Sequence, residues 1–96
     1  FLGLRHQDEL GAAQELARLA GPRVHLTTVL SAPRADLPWT GPTGFVHAVA
    51  ESSLPQPLDA FDFYFAGPPP MVDAVQEMLV IRHRVPHAQI HFDRFV

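Results

Sequence analysis

Apolar residues along the chain follow two alternating patterns. Short apolar or aromatic runs predict four strands, at residues 1–4, 24–30, 61–66 and 89–95. Between these runs, apolar residues recur every three or four positions and predict three helices, at residues 7–20, 44–53 and 71–84. Strands and helices that alternate in this way are typical of a parallel sheet with helices on its faces, so the sequence predicts an α/β fold.

Glycine, proline and polar residues mark the ends of these elements. Asp8 is expected to cap the first helix, and Gly21, which precedes a proline, is expected to end it. Residues 31–42 are predicted to form a proline-rich loop that holds the only tryptophan. Residues 54–59 contain two prolines and are expected to lack regular structure. The sharpest boundary is at Gly67, where three consecutive prolines follow the aromatic strand.

Composition and charge narrow the class of protein. The 96 residues make one domain at most and carry a net charge of −3, with seven arginines, no lysine and ten acidic residues. Without a basic segment, neither a nucleic acid nor an anionic membrane surface is expected as a partner. The apolar runs are far shorter than the ~20 residues that span a bilayer, so we expect a cytoplasmic protein. The absence of cysteine excludes disulfides and cysteine-ligated iron–sulfur clusters within these residues.

The junction at Gly67 is the strongest candidate for a ligand site. Ligands of open α/β sheets bind where strands end and helices begin. Gly67 has no Cβ and lets a ligand approach the backbone, and the free amides of Met71, Val72 and Asp73 are expected to open a helix, which favours a phosphate or a polarised carbonyl. The alternative is a rigid strand-to-helix turn that binds nothing.

The stretch FAGPPPMVDAVQ resembles the nicotinamide-side motif of the ferredoxin–NADP reductase superfamily. More narrowly, it resembles oxygenase-coupled reductases, the electron-transfer components of toluene and phenol monooxygenases and of aromatic-ring dioxygenases. Four further stretches match this family in the same order: FLGLRHQDEL, TTVLS, WTGPTGFVHAV and QIHFDRF. The resemblance implies a Rossmann-like parallel sheet and an NADH-dependent flavoprotein reductase. In such a reductase, electrons pass from NADH through FAD and a 2Fe-2S centre to an oxygenase or its ferredoxin.

The departures from the family pattern predict that residues 1–96 are the C-terminal portion of the NAD(P)H-binding domain. The family's first strand and its glycine-rich turn have no counterpart in the sequence, so the sheet is expected to be incomplete, with unpaired edges, and the piece inactive alone. FAD and 2Fe-2S would be held mainly by upstream FAD and ferredoxin-type domains or a partner. Many members have cysteine before the motif glycine, whereas this chain has Ala66, which cannot supply a thiol.

The resemblance assigns roles at the nicotinamide end. Four residues of the glycine–proline turn would line the nicotinamide and its ribose: Gly67, Pro68, Pro69 and Met71. Phe95, or Phe92 in its place, would correspond to the C-terminal aromatic residue that covers the flavin ring until the nicotinamide displaces it. The alternative for either phenylalanine is an ordinary strand residue packed in the core.

The resemblance places the adenosine end after the first two predicted strands of this chain. Arg5 would contact the adenosine half and could favour a 2′-phosphate, but Asp8 and Glu9 close by would oppose one, so NADH is expected and NADPH stays open. Ser31 and Pro33 would lie near the adenine. The alternatives are a solvated arginine and a plain turn.

The sequence gives no support for a metal site or a hydrolase triad, and it leaves two alternative functions open. His83, His87 and His91 are spaced by four, but Pro86 interrupts any helix that would align them, so no metal site is expected. No nucleophile elbow of a Ser/His/Asp hydrolase is present. The alternative functions are a non-catalytic nucleotide-binding or interaction module of the same fold, and the flavin subunit of a sodium-pumping quinone reductase.

Overall fold

The computed structural model describes residues 1–95, which fall into two compact units, residues 1–52 and residues 53–95. Val96 lies outside the described residues. Each unit contains one pair of parallel strands and the helices that follow them. Within residues 1–95, no helix is both long enough and apolar enough to span a bilayer.

The first unit is built on two short parallel strands. In chain order it contains β1 (Leu2–Leu4), a 3₁₀ turn (Gln7–Glu9), α1 (Leu10–Ala20), β2 (Thr28–Leu30) and α2 (Val46–Ser53). Leu2 lies opposite Thr28, and Leu4 lies opposite Leu30. Val29 and Leu30 are fully buried, because a strand of a parallel sheet is covered on both faces.

The second unit holds the larger apolar core. In chain order it contains a 3₁₀ turn (Leu58–Ala60), β3 (Phe63–Gly67), α3 (Pro69–Gln76), a π-helical continuation (Glu77–Arg82), a second 3₁₀ turn (His87–Gln89) and β4 (Ile90–Arg94). The parallel pair β3–β4 sets Phe63 opposite Ile90. Six buried side chains form one cluster in this unit: Leu58, Val75, Met78, Leu79, Val85 and Ile90.

The predicted α/β class is confirmed, with four strands and three main helices in the predicted order. Every strand pairing among residues 1–95 is parallel. Within the same residues, β1 pairs as a strand with β2, and β3 pairs with β4, which gives two two-stranded sheets. In each pair the carboxyl ends of the two strands therefore lie side by side, which is the edge where ligands of such sheets bind.

Two predicted boundaries in the first unit are wrong. The predicted strand at 24–30 is ordered as a strand only over Thr28–Leu30. Asp8 does not cap a helix: neither the 3₁₀ turn nor α1 has a side-chain cap at its start. The carboxylate of Asp8 instead pairs with Arg34, at 2.9 Å. Gly21 ends α1 as predicted, with a φ of 81° that favours glycine, and its amide donates to the carbonyl of Ala17.

Two predictions in the second unit also need correction. The segment predicted to be irregular contains the 3₁₀ turn Leu58–Ala60, because burial of the Leu58 side chain in the core fixes the local backbone. The third helix begins at Pro69 rather than Met71. Proline suits the first positions of a helix, because its ring already holds φ at a helical value and its missing N–H has no partner to lose there.

Candidate functional site

The carboxyl end of β3 brings together two residues that the sequence assigned to one site. The amide of Phe95 donates a hydrogen bond to the carbonyl of Gly67, with 2.8 Å between nitrogen and oxygen. This bond continues the parallel ladder in which Gly67 lies opposite Arg94. Phe95 is therefore held beside the glycine–proline turn.

The two candidate aromatic residues have different surroundings. The side chain of Phe95 is 55% exposed, so its ring is available to a ligand at the end of the sheet. Phe92 lies within β4 and stacks on Phe65, with ring centroids 5.5 Å apart and planes 17° apart. Phe92 is also exposed, at 44%, so the alternative of a residue packed in the core is wrong for both phenylalanines. The two differ in position: Phe95 lies beside the glycine–proline turn, whereas Phe92 lies within β4 and packs on Phe65.

Met71 occupies the space that Gly67 leaves by having no side chain. A Cβ at Gly67 would lie 2.5 Å from Cε of Met71 and 2.6 Å from its Sδ, both too close for a real contact. The thioether of Met71 thus lies directly against the backbone of Gly67. Because a methionine side chain is long and unbranched, it can move aside for a flat ligand at small cost.

The amides of Met71 and Val72, predicted to be free for a phosphate or a polarised carbonyl at the start of the third helix, are hydrogen-bonded in the structure. Pro69 and Pro70 occupy the first turn and have no N–H, while the amides of Met71 and Val72 both donate to the carbonyl of Pro68, at 3.0 and 3.1 Å. None of the residues from Pro69 to Val72 therefore offers a free amide to an anion. The turn presents proline rings, carbonyls and a thioether, which suit a flat and largely uncharged ring.

An ion pair joins β4 to α3 beside this turn. Nη2 of Arg94 lies 3.1 Å from Oδ1 of Asp73, and both side chains are about half exposed. Exposed pairs of this kind contribute at most about 1 kcal/mol of stability. The main effect of this pair is that the carboxylate of Asp73 offsets the positive charge of Arg94 beside the turn. The cation that lies beside the turn is therefore already paired with a carboxylate, and Asp93, opposite Ala66, adds a negative charge near it.

Ala66 lies in a part of β3 that is open to solvent. It is exposed, and two residues earlier Tyr64 stacks on His91 with ring centroids 4.6 Å apart. A shallow groove of about 430 Å³ runs along this pair of strands. The groove is lined by Tyr64, Phe65, Ala66, His91, Phe92 and Asp93.

In the first unit, the structure brings together the residues predicted at the adenosine end. The amide of Ser31 donates to the carbonyl of Leu4 at 2.9 Å, and the amide of Ala32 donates to the carbonyl of Arg5 at 2.8 Å. Arg5 and Ser31 therefore follow the carboxyl ends of neighbouring parallel strands, and both are exposed. Both residues therefore lie at the edge where the resemblance places the adenosine half.

The sequence analysis missed a cluster at the same edge, here called the Arg34 cluster: Gln7, Asp8, Arg34 and Asp36. The guanidinium of Arg34 pairs with Asp8 at 2.9 Å and with Asp36 at 2.8 Å. The hydrogen bond to Asp36 and then the one to Asp8 raise the pKa of Arg34 above its ordinary value. Gln7 and Arg34 are 27 residues apart, and the only sequence signal is that each closely follows a predicted strand.

The side chain of Gln7 makes hydrogen bonds to the backbone of the loop after β2, at Arg34 and at Leu37. Its Oε1 accepts from the amide of Arg34 at 2.8 Å, and its Nε2 donates to the carbonyls of Arg34 and Leu37, both at 3.2 Å. The amide group of one side chain thus holds the loop after β2 in place. Because the loop backbone is fixed, the direction of the Arg34 side chain is restricted as well.

The three regularly spaced histidines lie on different elements. His83 ends the π-helical segment, His87 begins the second 3₁₀ turn and His91 lies in β4. Among residues 1–95, no three His, Asp or Glu side chains are grouped closely enough to hold a metal ion.

Comparison with known proteins shows which family shares this geometry. Residues 1–77 match the family model described as the oxidoreductase NAD-binding domain. Over 60 residues the chain is 52% identical to ferredoxin–NAD(P)⁺ reductase CarAd of Metapseudomonas resinovorans, a match that covers 62% of the chain and 18% of that protein. Over 85 residues it is 37% identical to one subunit of the Na⁺-translocating NADH-quinone reductase of Klebsiella pneumoniae, covering 82% of the chain and 21% of that subunit.

A solved structure agrees with the fold of this chain. The ferredoxin reductase in carbazole 1,9a-dioxygenase matches with a TM-score of 0.79 and 33% sequence identity, covering 98% of this chain and 28% of the other. The resemblance to oxygenase-coupled reductases predicted from the motifs is confirmed by this match. The chain spans less than a third of the length of each of these relatives.

Proposed function

Because the chain belongs to the oxidoreductase NAD-binding domain family, we propose that it binds the nicotinamide nucleotide in a flavin-dependent reductase. The complete protein would pass electrons from NADH through FAD and an iron–sulfur centre to an oxygenase or its ferredoxin. The high identity to a ferredoxin–NAD(P)⁺ reductase and the structural match to a dioxygenase reductase support this assignment.

The observation that carries the proposal is the hydrogen bond from Phe95 to Gly67. It brings an exposed aromatic ring beside a turn whose Met71 and Val72 amides are already bonded and whose neighbouring arginine, Arg94, is paired with Asp73. A nicotinamide ring is flat and carries no phosphate, so these surroundings suit it better than they suit the phosphate end of the nucleotide. We assign Gly67, Pro68, Pro69 and Met71 to the nicotinamide and its ribose, and Phe95 to stacking.

The chemistry needs little more from these residues than binding and orientation. When bound beside Gly67 and Phe95, the nicotinamide would supply the hydride, and a flavin would be its acceptor. Such a transfer requires no acid or base on this chain. Holding the two rings in contact supplies the rate advantage, because a fixed orientation replaces a chance encounter.

Phe95 would act as a displaceable cover. Offset stacking of two rings contributes about 0.5–1.5 kcal/mol, which a ligand of similar shape can overcome. Its amide bond to Gly67 fixes the backbone while the side chain stays exposed, so the ring could move without breaking the ladder. Phe92 is the weaker candidate because its ring already stacks on Phe65.

The adenosine half would lie at the carboxyl ends of β1 and β2. Arg5 and Ser31 follow these ends and are exposed, and dinucleotides bind at this edge of a Rossmann-like sheet. Upstream FAD and ferredoxin-type domains would belong to the part of the protein beyond these residues. The 96 residues contain no cysteine, so a cysteine-ligated cluster would be held elsewhere.

Rapid mixing of the complete protein with NADH under anaerobic conditions tests the proposal. Flavin absorbance near its visible maximum should fall first, and the absorbance of an iron–sulfur centre should fall after it. A complete protein that shows no flavin, or whose flavin NADH does not bleach, would contradict the electron-transfer role and support a non-catalytic nucleotide-binding module.

A second candidate is the flavin subunit of a sodium-pumping quinone reductase, which the similarity to the Klebsiella pneumoniae protein favours. Both candidates would show flavin bleaching, so the acceptor decides between them. Reduction of a ferredoxin or of an oxygenase by the purified protein supports the first candidate. Sodium-dependent quinone reduction that requires membrane subunits supports the second.

A further inference from the structure

We propose that the ion pair between Arg94 and Asp73 positions Phe95, and so sets how strongly the Phe95 ring competes with the nicotinamide. This inference rests on the proposed function and adds two positioning residues to the same site. Arg94 directly precedes Phe95, whose amide bonds to the carbonyl of Gly67. Nη2 of Arg94 lies 3.1 Å from Oδ1 of Asp73 and 3.3 Å from its Oδ2, so the pair links the end of β4 to α3.

The start of β4 is held by burial and by a buried-side hydrogen-bonding residue. Ile90 belongs to the buried apolar cluster. The side chain before it, that of Gln89, donates from Nε2 to the carbonyls of Asp59 and Phe61, at 2.7 and 2.8 Å. The strand therefore begins from a fixed point.

The end of β4 is held differently. Every side chain from residue 91 to residue 95 is exposed. Two aromatic pairs join β3 and β4 in the middle of the strands, but Arg94 lies opposite Gly67, which has no side chain for a cross-strand pair. Besides the backbone ladder, the side chain of Arg94 ties this end of the strand to α3 through Asp73.

A fixed strand end keeps the ring of Phe95 in its competing position. The Phe95 side chain is 55% exposed, so its position depends on the backbone from which it extends rather than on burial. Breaking the ion pair would let Arg94 sample other conformations, and the Phe95 ring would then occupy the stacking position for a smaller fraction of the time. Because the ring and the nicotinamide compete for one position, the nucleotide should bind more tightly.

The test measures binding of NAD⁺ to the complete protein by calorimetry, because the oxidised nucleotide leaves the flavin unchanged. Asp73→Asn and Arg94→Gln each break the pair, and each should tighten NAD⁺ binding by about twofold to fivefold, the range that an exposed ion pair allows. Asp73→Glu keeps both charges of the pair and should bind NAD⁺ as the wild type does.

The two charge-removing variants separate positioning from a direct effect of charge. Asp73→Asn makes the site more positive, and Arg94→Gln makes it more negative. If these charges acted directly on the phosphates of the nucleotide, binding would tighten in the first variant and weaken in the second. Positioning of Phe95 requires that binding tightens in both.

The background Phe95→Ala tests whether the pair acts through this ring. In a protein that already carries Phe95→Ala, neither Asp73→Asn nor Arg94→Gln should change NAD⁺ affinity further, since the competing ring is gone. The matched control is Glu15→Gln, which breaks another exposed arginine pair, that of Glu15 and Arg18 on α1, and should leave the affinity unchanged.

Two results would overturn this inference alone: affinities that do not rise in both charge-removing variants, and a rise that persists in the Phe95→Ala background. A wild type that does not bind NAD⁺ would overturn the proposed function and this inference with it.

Discussion

The thioether of Met71 lies against the backbone of Gly67, at the point where the nicotinamide is proposed to bind. Gly67 therefore has two roles. Because it has no Cβ, the side chain of Met71 can pack against its backbone in this structure. A ligand ring would occupy the same space after the methionine moves away. Because the two roles involve different partners, a substitution at Gly67 should affect folding and binding to different extents.

Gly67→Ala should weaken nucleotide binding more than it weakens folding. The new Cβ would meet the terminal atoms of Met71, which can rotate away, so we expect the free energy of unfolding to fall by less than about 1 kcal/mol. The added methyl group would also displace the nicotinamide and weaken NAD⁺ binding by roughly tenfold. Urea denaturation and calorimetry of the complete protein measure the two effects.

Adding Met71→Ala to this variant tests whether the loss of stability comes from contact between the new Cβ and the side chain of Met71. If the methionine is the contact that the alanine disturbs, the double variant should be as stable as Met71→Ala alone. A double variant that loses the sum of both single effects would show that Gly67→Ala disturbs something other than Met71.

Phe95→Ala should bind nicotinamide nucleotides more tightly, because it removes the ring that competes for the stacking position. The gain should be between about twofold and tenfold, the equivalent of one offset stacking contact. The backbone bond to Gly67 does not depend on the side chain and should survive. Phe45→Ala removes another exposed phenyl ring, in the first unit, and serves as the control. Equal affinities in Phe95→Ala and the wild type would remove Phe95 from the site.

Leu79→Ala should destabilise the second unit strongly. Leu79 is fully buried in the apolar cluster, and truncation of such a leucine costs about 2–5 kcal/mol because a cavity remains. Ile81→Ala on the same π-helical segment is the comparison, since Ile81 is 70% exposed and its truncation should cost less than about 0.5 kcal/mol. Urea denaturation followed by circular dichroism distinguishes them, and similar midpoints for both variants would contradict the assigned core.

Gln7→Ala should loosen the loop after β2 without unfolding the first unit. Three hydrogen bonds to the loop backbone are lost, each worth about 1 kcal/mol in a typical case. Hydrogen exchange followed by mass spectrometry should show faster exchange in residues 31–38 and little change in β1. Gln14→Ala, which truncates an exposed glutamine on α1, is the matched control. Unchanged exchange at residues 31–38 would mean that the loop is fixed by other contacts.

The ion pair of Glu15 with Arg18 predicts a pH dependence of stability. The hydrogen bond from Arg18 lowers the pKa of Glu15 from its ordinary value of 4.5. A carboxyl whose pKa is lower in the folded state adds stability above its unfolded pKa, and this stability is lost as the pH falls through the folded pKa. Wild type and Glu15→Gln should therefore differ at neutral pH, and the difference should shrink as the pH falls below 4.5 and through the lowered folded pKa of Glu15. Thermal unfolding of both proteins, measured across this pH range, tests the prediction. A difference in stability that does not change with pH would show that the ion pair between Glu15 and Arg18 does not cause it.

The order of elements, the parallel α/β class and the glycine–proline junction could be predicted from the sequence. Each of these depends on residues that are near one another in the chain, such as the aromatic run that ends at Gly67 or the periodic apolar positions of α1. The wrong start of the third helix also has a local cause. The prolines predict a break before the helix, whereas Pro69 and Pro70 form its first turn. The amides of Met71 and Val72, which the predicted ligand site required to be free, then donate to the carbonyl of Pro68.

Other features were decided only by the tertiary structure. Arg34 and Asp8 are 26 residues apart, and Phe95 and Gly67 are 28 apart, so neither contact follows from local spacing. Both depend on which strands pair and in which register, since the parallel ladder decides which carboxyl ends lie side by side. The sequence by itself determined the order of the elements and the parallel α/β class, and it predicts a ligand site at the glycine–proline junction. The pairing of the strands decided which charges and rings meet there, because chain segments that are distant in sequence come together only when the sheet forms.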